Sequence, residues 1–378
     1  MQSNTQVAAD PARTIRVMLV DDSPIIRGMN ARFLDKSENV RIVASVSNGE
    51  LAVQKLEPGA VDVIVLDIEM PIMDGLTAIP LLLQKDRSVK ILMSSTLTQR
   101  GAEVSFKALE LGAADFIPKP SNVGTADGRD ALDSYRREIV EKVLCLGASK
   151  LRLRDRSRHL AASGPVTKPT PELTLARPEV WAVPRILAVG SSTGGPQALL
   201  QVFRDIKGVL DFPVLITQHM PPHFTEILAK HINDVSEMVC REAVDGELLE
   251  PGRIYVAPGD FHMIVKADGL KNRISLNQDP PENYCRPAVD PMFRSVAECF
   301  GKNALCVVLT GMGRDGAKGA KIVADHGGNV IAQDEKTSVV WGMPGAAYGI
   351  GACSKVLPIA EIGPFINNAT KRPNDGTR

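Results

Sequence analysis

Short apolar runs recur along the first half of the chain, and each stops at a charged or small polar residue. The first, Ile15–Val20, ends at Asp21-Asp22. Others occupy residues 40–44, 61–66, 89–93 and 115–117. Continuous apolar runs of this length, bounded by turn-forming residues, predict strands buried on both faces. Amphipathic stretches lie between them, residues 76–83 and 102–111 among them. Ser23-Pro24 adds a helix cap followed by a proline suited to a first helical turn. Strands alternating with helices predict an α/β domain, a five-stranded parallel sheet with helices on both faces.

The second half repeats the alternation without repeating the sequence. Residues 186–189, 214–217, 254–257, 304–309 and 330–332 read as strands, and 199–203, 224–232, 291–300 and 317–326 as helices. This predicts a second, doubly wound α/β sheet. Residues 261–265 and 273–276, separated by Asp268-Gly269, predict an attached β-hairpin. Between the halves a helical pattern runs from about residue 130 to 146. The segment 147–184 then carries the basic run Arg152, Arg154, Arg156, Arg158 and the prolines Pro165, Pro169, Pro171, Pro178 and Pro184. It reads as an extended linker with a solvated basic run, the sharper alternative being docking to an acidic partner. The expected domains are therefore 14–135, a helical extension and linker over 136–184, and 185–368. Leader 1–13 and the tail after about residue 368 read as disordered.

Composition narrows the function. The 44 basic and 44 acidic side chains cancel, which argues against broad electrostatic binding to nucleic acid. No apolar run approaches the roughly 20 residues needed to span a bilayer, and the leader lacks the layout of a secretory signal. None of the six cysteines forms a C-x-x-C pair. Reduced, mostly buried thiols and a cytoplasmic location are expected.

Chemistry-bearing residues collect at strand ends. In the first half, Asp21 and Asp22 follow one strand and Asp67 another. Ser95 follows the fourth strand, and Lys119 the fifth. In an open α/β sheet, ligands bind beyond the carboxyl ends of the strands. Gathered carboxylates there require a cation, and Mg²⁺ is a hard, oxygen-preferring one. An Asp can itself accept a phosphoryl group, and Asp67 is the candidate. In the second half, Gly190-Ser191-Ser192-Thr193-Gly194 is a G-x-S-x-G turn between a strand and a helix. It suits an exposed nucleophilic Ser192, a phosphate-cradling loop or plain turn chemistry, though it is no Walker A loop. His219 and Asp315, each after another predicted strand, supply a base and an orienting carboxylate. That favours a Ser–His–Asp hydrolase in an unusual chain order. Pro221 and Pro222 break the helix that a His219–His223 metal pair would need.

Asp21-Asp22, Asp67 with Met70-Pro71-Ile72-Met73-Asp74-Gly75, Ser95, Phe116 and Lys119-Pro120 resemble the receiver domain of two-component response regulators, a flavodoxin-like fold. The resemblance spans about residues 14–135. It implies phosphorylation at Asp67 and Mg²⁺ held by Asp21, Asp22, Asp67 and the Glu69 carbonyl. It also makes Ser95 and Phe116 switch residues acting with Lys119. Residues 190–196, 218–222, 257–260, 286–290, 309–317 and 341–345 resemble the catalytic domain of the CheB-type chemotaxis methylesterases. That implies Ser192 as nucleophile, His219 as base and Asp315 as its orienter. It also implies oxyanion donors near Thr193 and at Met312, with Arg286 in the substrate cleft. The expected reaction is hydrolysis of glutamate methyl esters on chemoreceptors, with glutamine deamidation beside it and no cofactor for the ester step. A CheA-type histidine kinase is the expected phosphodonor, and the unphosphorylated receiver is expected to cover the cleft. The leader and linker are longer than the simplest members of that family need. The competing reading is a response regulator whose second domain only binds.

Overall fold

The computed structural model describes residues 14–120, 126–162 and 182–369. The chain divides into two compact units, Met1–Lys168 and Pro169–Arg378.

In the first unit, five strands, β1 (Ile15–Val20), β2 (Val40–Val46), β3 (Val63–Asp67), β4 (Lys90–Ser95) and β5 (Asp115–Pro118), pair in parallel in the order β2-β1-β3-β4-β5. Helices α1 (Pro24–Leu34), α2 (Gly49–Lys55), α3 (Gly75–Lys85), α4 (Gln99–Glu110) and α5 (Ala126–Ala162) connect and follow them. Every residue of β3 is buried, as a central strand covered on both faces requires. The Ser23 hydroxyl caps α1 by accepting from the Ile26 N–H, with Pro24 at the first position. The strand order reverses between β1 and β3, which places the ends carrying Asp21 and Asp67 side by side.

The expected extended linker begins too early. Helix α5 continues to Ala162, because residues 147–162 contain no proline and are rich in Leu, Arg, Lys and Ala, which tolerate helix well. Tyr135, Ile139, Val143 and Leu146 bury one stripe of it. Nor is Lys150, at the head of the basic stretch, solvated: it is buried, and its ammonium donates to the Ser88 hydroxyl at 2.6 Å. Leader 1–13, the proline-rich segment from 163 to 181 and the tail from 370 lie outside the described residues.

The second unit is built on seven parallel strands. These are β6 (Ile186–Ser191), β7 (Val214–Gln218), β8 (Val239–Glu242), β9 (Arg253–Val256), β12 (Ala304–Val308), β13 (Asn329–Gln333) and β14 (Lys355–Leu357). Their order is β14-β13-β12-β6-β7-β9-β8. Strands β10 (His262–Asp268) and β11 (Lys271–Asn277) form the hairpin. Asp268 pairs with Lys271, so the turn is Gly269-Leu270, one residue later than expected, with Gly269 at φ 59°. The helices are α6 (Gly195–Asp205), α7 (Phe224–Val235), α8 (Val289–Phe300), α9 (Ala317–Asp325), α10 (Met343–Gly349) and α11 (Ile359–Ala369). Met292, Phe293 and Val296 of α8 are fully buried, each worth about 1.5–3 kcal/mol of burial. That anchorage fixes the N-terminal end of α8 beside the site described next.

Candidate functional site

Strands β12, β6 and β7 are neighbours, so the loops after them converge on one edge of the sheet. Strand β6 ends at Ser191, and α6 starts four residues later behind Gly194, whose φ of 74° suits glycine. Gly195 must lack a side chain because a Cβ there would lie 2.0 Å from the Gln218 side-chain oxygen. Half-buried Ser192 sits on this turn. Its N–H donates to the Thr310 carbonyl at 3.1 Å, and its carbonyl accepts from Gly195 at 2.7 Å and from the Gln218 amide at 2.9 Å. Gln218, which the sequence placed near the site without a role, therefore fixes the serine turn.

His219 follows β7. Its Nε2 lies 2.7 Å from Asp315 Oδ2. Asp315 is buried in a cage of donors: the Val289 N–H at 2.5 Å, the Asp290 N–H at 3.1 Å and the Asn283 amide at 2.8 Å. Burial works against its charge, but His219 and these backbone N–H groups outweigh burial and hold the carboxyl below its ordinary value. Two of the donors open α8, where the helix dipole also favours an anion. His219 is raised to about 10: burial opposes the imidazolium, but the Cys285 sulfur and the Asp315 carboxylate prevail.

The structure thus joins His219 to Asp315. Among the described residues no hydrogen bond joins the Ser192 hydroxyl to His219; the other imidazole nitrogen, Nδ1, faces Cys285 Sγ at 3.4 Å. Neither the Thr193 nor the Met312 N–H donates to an acceptor among the described residues. Arg286, expected in the substrate cleft, is occupied by its own loop. Its guanidinium binds Asp260 at 2.6 and 2.9 Å and the carbonyls of Gln278 and Asp279 at 3.1 Å. His262 is buried, and its Nδ1 accepts from the Ala288 N–H at 3.2 Å. Asn283 and Cys285 were not singled out from the sequence. They lie in a polar stretch without periodicity.

In the first unit, Lys119 Nζ bridges Asp67 Oδ1 at 2.8 Å and Asp21 Oδ2 at 3.1 Å. Asp21, Asp22 and Asp67 each offer a carboxylate oxygen, all within 4.8 Å of one another. Burial, helped by Asp21, pushes Asp67 up to about 6 despite Lys119. Exposed Glu69 follows two residues on. Phe116 is buried on β5, and its carbonyl accepts from Lys142 at 2.6 Å. Ser95, the last residue of β4, is buried, and its hydroxyl accepts from Ser105 of α4 at 2.9 Å.

The CheB methylesterase family matches residues 187–366, and the response regulator receiver domain matches residues 17–134. Over 370 residues the chain is 52% identical to the protein-glutamate methylesterase/protein-glutamine glutaminase of Azospirillum brasilense, covering 95% of this chain and 93% of that protein. The protein-glutamate methylesterase/protein-glutamine glutaminase 1 of Rhodospirillum rubrum is 49% identical over 374 residues, covering 95% and 96%. The crystal structure of the Thermotoga maritima CheB methylesterase catalytic domain is similar with 41% identity. It covers 50% of this chain and 99% of that one, at a TM-score of 0.48. All six cysteines are free, three of them buried. Among the described residues no helix is long and apolar enough to cross a membrane.

Proposed function

The chain belongs to the CheB methylesterase family, and we propose that it hydrolyses glutamate γ-methyl esters on chemoreceptors, under control of phosphorylation at Asp67, in the cytoplasm. The observation that carries this reading is the buried His219–Asp315 pair at 2.7 Å, on the same sheet edge as the glycine-flanked Ser192 turn. A domain that only binds has no use for a buried, donor-caged carboxylate aimed at an imidazole.

In this reading the Ser192 hydroxyl attacks the ester carbonyl and gives its proton to His219. Asp315 occupies Nε2, so Nδ1 takes the proton, and the thiol of Cys285 must yield that nitrogen to the serine. The tetrahedral oxyanion is stabilised by the unengaged N–H groups of Thr193 and Met312, each worth about 3 kcal/mol in comparable sites. Methanol leaves with the proton from His219. Water then attacks the acyl-serine by the same base and releases the glutamate. Ammonia in place of methanol gives glutamine deamidation by the same steps. Arg286 serves this chemistry by holding its loop.

A histidine kinase of the CheA type is the phosphodonor in this reading. Asp67 is the acceptor, Lys119 its cationic partner, and Ser95 and Phe116 the hydroxyl and aromatic that respond. Asp21, Asp22, Asp67 and the Glu69 carbonyl would hold Mg²⁺, and the three convergent carboxylates fit a hard cation. Bound there, the ion compensates the charge that the phosphoryl group brings.

The direct test is methanol release from methylated receptor fragments. The intact protein is expected to release methanol, and Ser192→Ala to lose at least about a thousandfold of that rate. Turnover persisting in Ser192→Ala would overturn the serine mechanism.

A further inference from the structure

The loop between β11 and α8, Pro280-Pro281-Glu282-Asn283-Tyr284-Cys285-Arg286, carries two consecutive residues in the left-handed region: Asn283 at φ 52° and Tyr284 at φ 64°. Asparagine tolerates this conformation, whereas tyrosine does not favour it. The Tyr284 side chain is 82% exposed. Strain of this kind persists where the surroundings impose it, and here they do so from several sides. Glu282 pairs with Arg294 of α8 at 2.5 and 2.8 Å. Arg286 is clamped to Asp260. The Cys285 N–H donates to the Glu282 carbonyl at 2.9 Å. Buried His262 takes the Ala288 N–H just beyond the loop.

What this arrangement presents is the Asn283 amide. Its Nδ2 lies 2.8 Å from Asp315 Oδ1 and 3.0 Å from Asp290 Oδ2. One NH₂ group has two hydrogens, and here it has two acceptors, both on buried carboxylates. The remaining oxygens are engaged as well: Asp290 Oδ1 accepts from the Gly319 N–H at 2.7 Å, and Asp315 Oδ2 meets Val289 N–H and His219. Burial and the nearby Asp315 both raise Asp290, as two like charges facing one amide should.

We propose that Asn283 is a positioning residue of the catalytic centre: its amide bridges Asp290 and Asp315 and holds the Asp315 carboxylate in the plane where Oδ2 meets His219. The proposal rests on the esterase reading for its kinetic arm only. The His219 imidazole, faced by Asp315 on one side and Cys285 on the other, with Asp290 and the Glu282–Arg294 pair behind them, reports the same geometry without any substrate.

Asn283→Gly is the informative variant, because glycine suits the left-handed backbone and removes only the amide. In the full-length protein it is expected to lower kcat for methanol release at least tenfold, with KM within threefold. In NMR titration the His219 imidazole is expected to lose its proton at lower pH, since a misaligned Asp315 stabilises the imidazolium less. Tyr284→Gly relieves the same backbone but keeps the amide, and should match the wild type in both measurements. Adding Asp290→Asn to Asn283→Gly removes one of the two facing charges and should recover part of the lost kcat. An unchanged His219 titration in Asn283→Gly would overturn the proposal whatever the substrate proves to be. Equal losses in Asn283→Gly and Tyr284→Gly would overturn it in favour of a merely structural loop. A shifted titration with no turnover in any form, wild type included, would leave Asn283 in place and remove the esterase reading.

Discussion

Cys285 and His219 set the chemistry at the scale of single residues. Asp315 and the Cys285 sulfur both favour the charged imidazole, and a protonated imidazole cannot accept the serine proton. Its base form appears only as pH rises, so turnover should climb on the alkaline side. Removing the sulfur removes one influence that favours the imidazolium. The His219 value then falls, and the neutral base survives to lower pH. Cys285→Ala is accordingly expected to move the acid limb of the kcat/KM profile to lower pH. An acid limb that stays in place or moves upward would show that the thiol does not act on His219. The sequence made Ser192, His219, Asp315, Asp67 and Lys119 legible because each follows a recognisable apolar strand, and parallel strands deliver such positions to one edge. Asn283 and Cys285 had no such marker. They reach the site through a pinned irregular loop, and the contacts that pin it come from Asp260 and His262, around the start of the hairpin, and from Arg294 of the helix that follows.

At the scale of elements, the errors follow the strength of the local signal. Long buried strands were readable, while β8 and β14, of four and three residues at the sheet edges, lack an apolar run. Ser95 ends β4, where the resemblance places the switch hydroxyl, and that end gives a clear expectation. Ser95→Ala should reduce phosphoryl incorporation from acetyl phosphate roughly tenfold, the value of a hydrogen bond to a charged group. Ser94→Ala should change it by less than about twofold. The reverse ranking would move the switch role to Ser94. The linker was misjudged by composition: few apolar side chains and many prolines suggested extension from residue 147, but residues 147–162 hold no proline and form helix.

The whole molecule joins a phospho-acceptor unit to a hydrolase unit on one chain, and the account stands on their coupling. If phosphorylation shifts the protein from an inactive to an active state, activation is a population shift with a ceiling. An inactive state favoured by about 2 kcal/mol holds about 97% of the molecules and permits about thirtyfold activation. The most direct measurement is the initial rate of methanol release by the intact protein from a methylated receptor fragment, with and without acetyl phosphate and Mg²⁺, beside Asp67→Ala. A rise of tens-fold in the wild type, absent in Asp67→Ala, is the expected result. An equal rate with and without the phosphodonor, or a rise that survives Asp67→Ala, would contradict it.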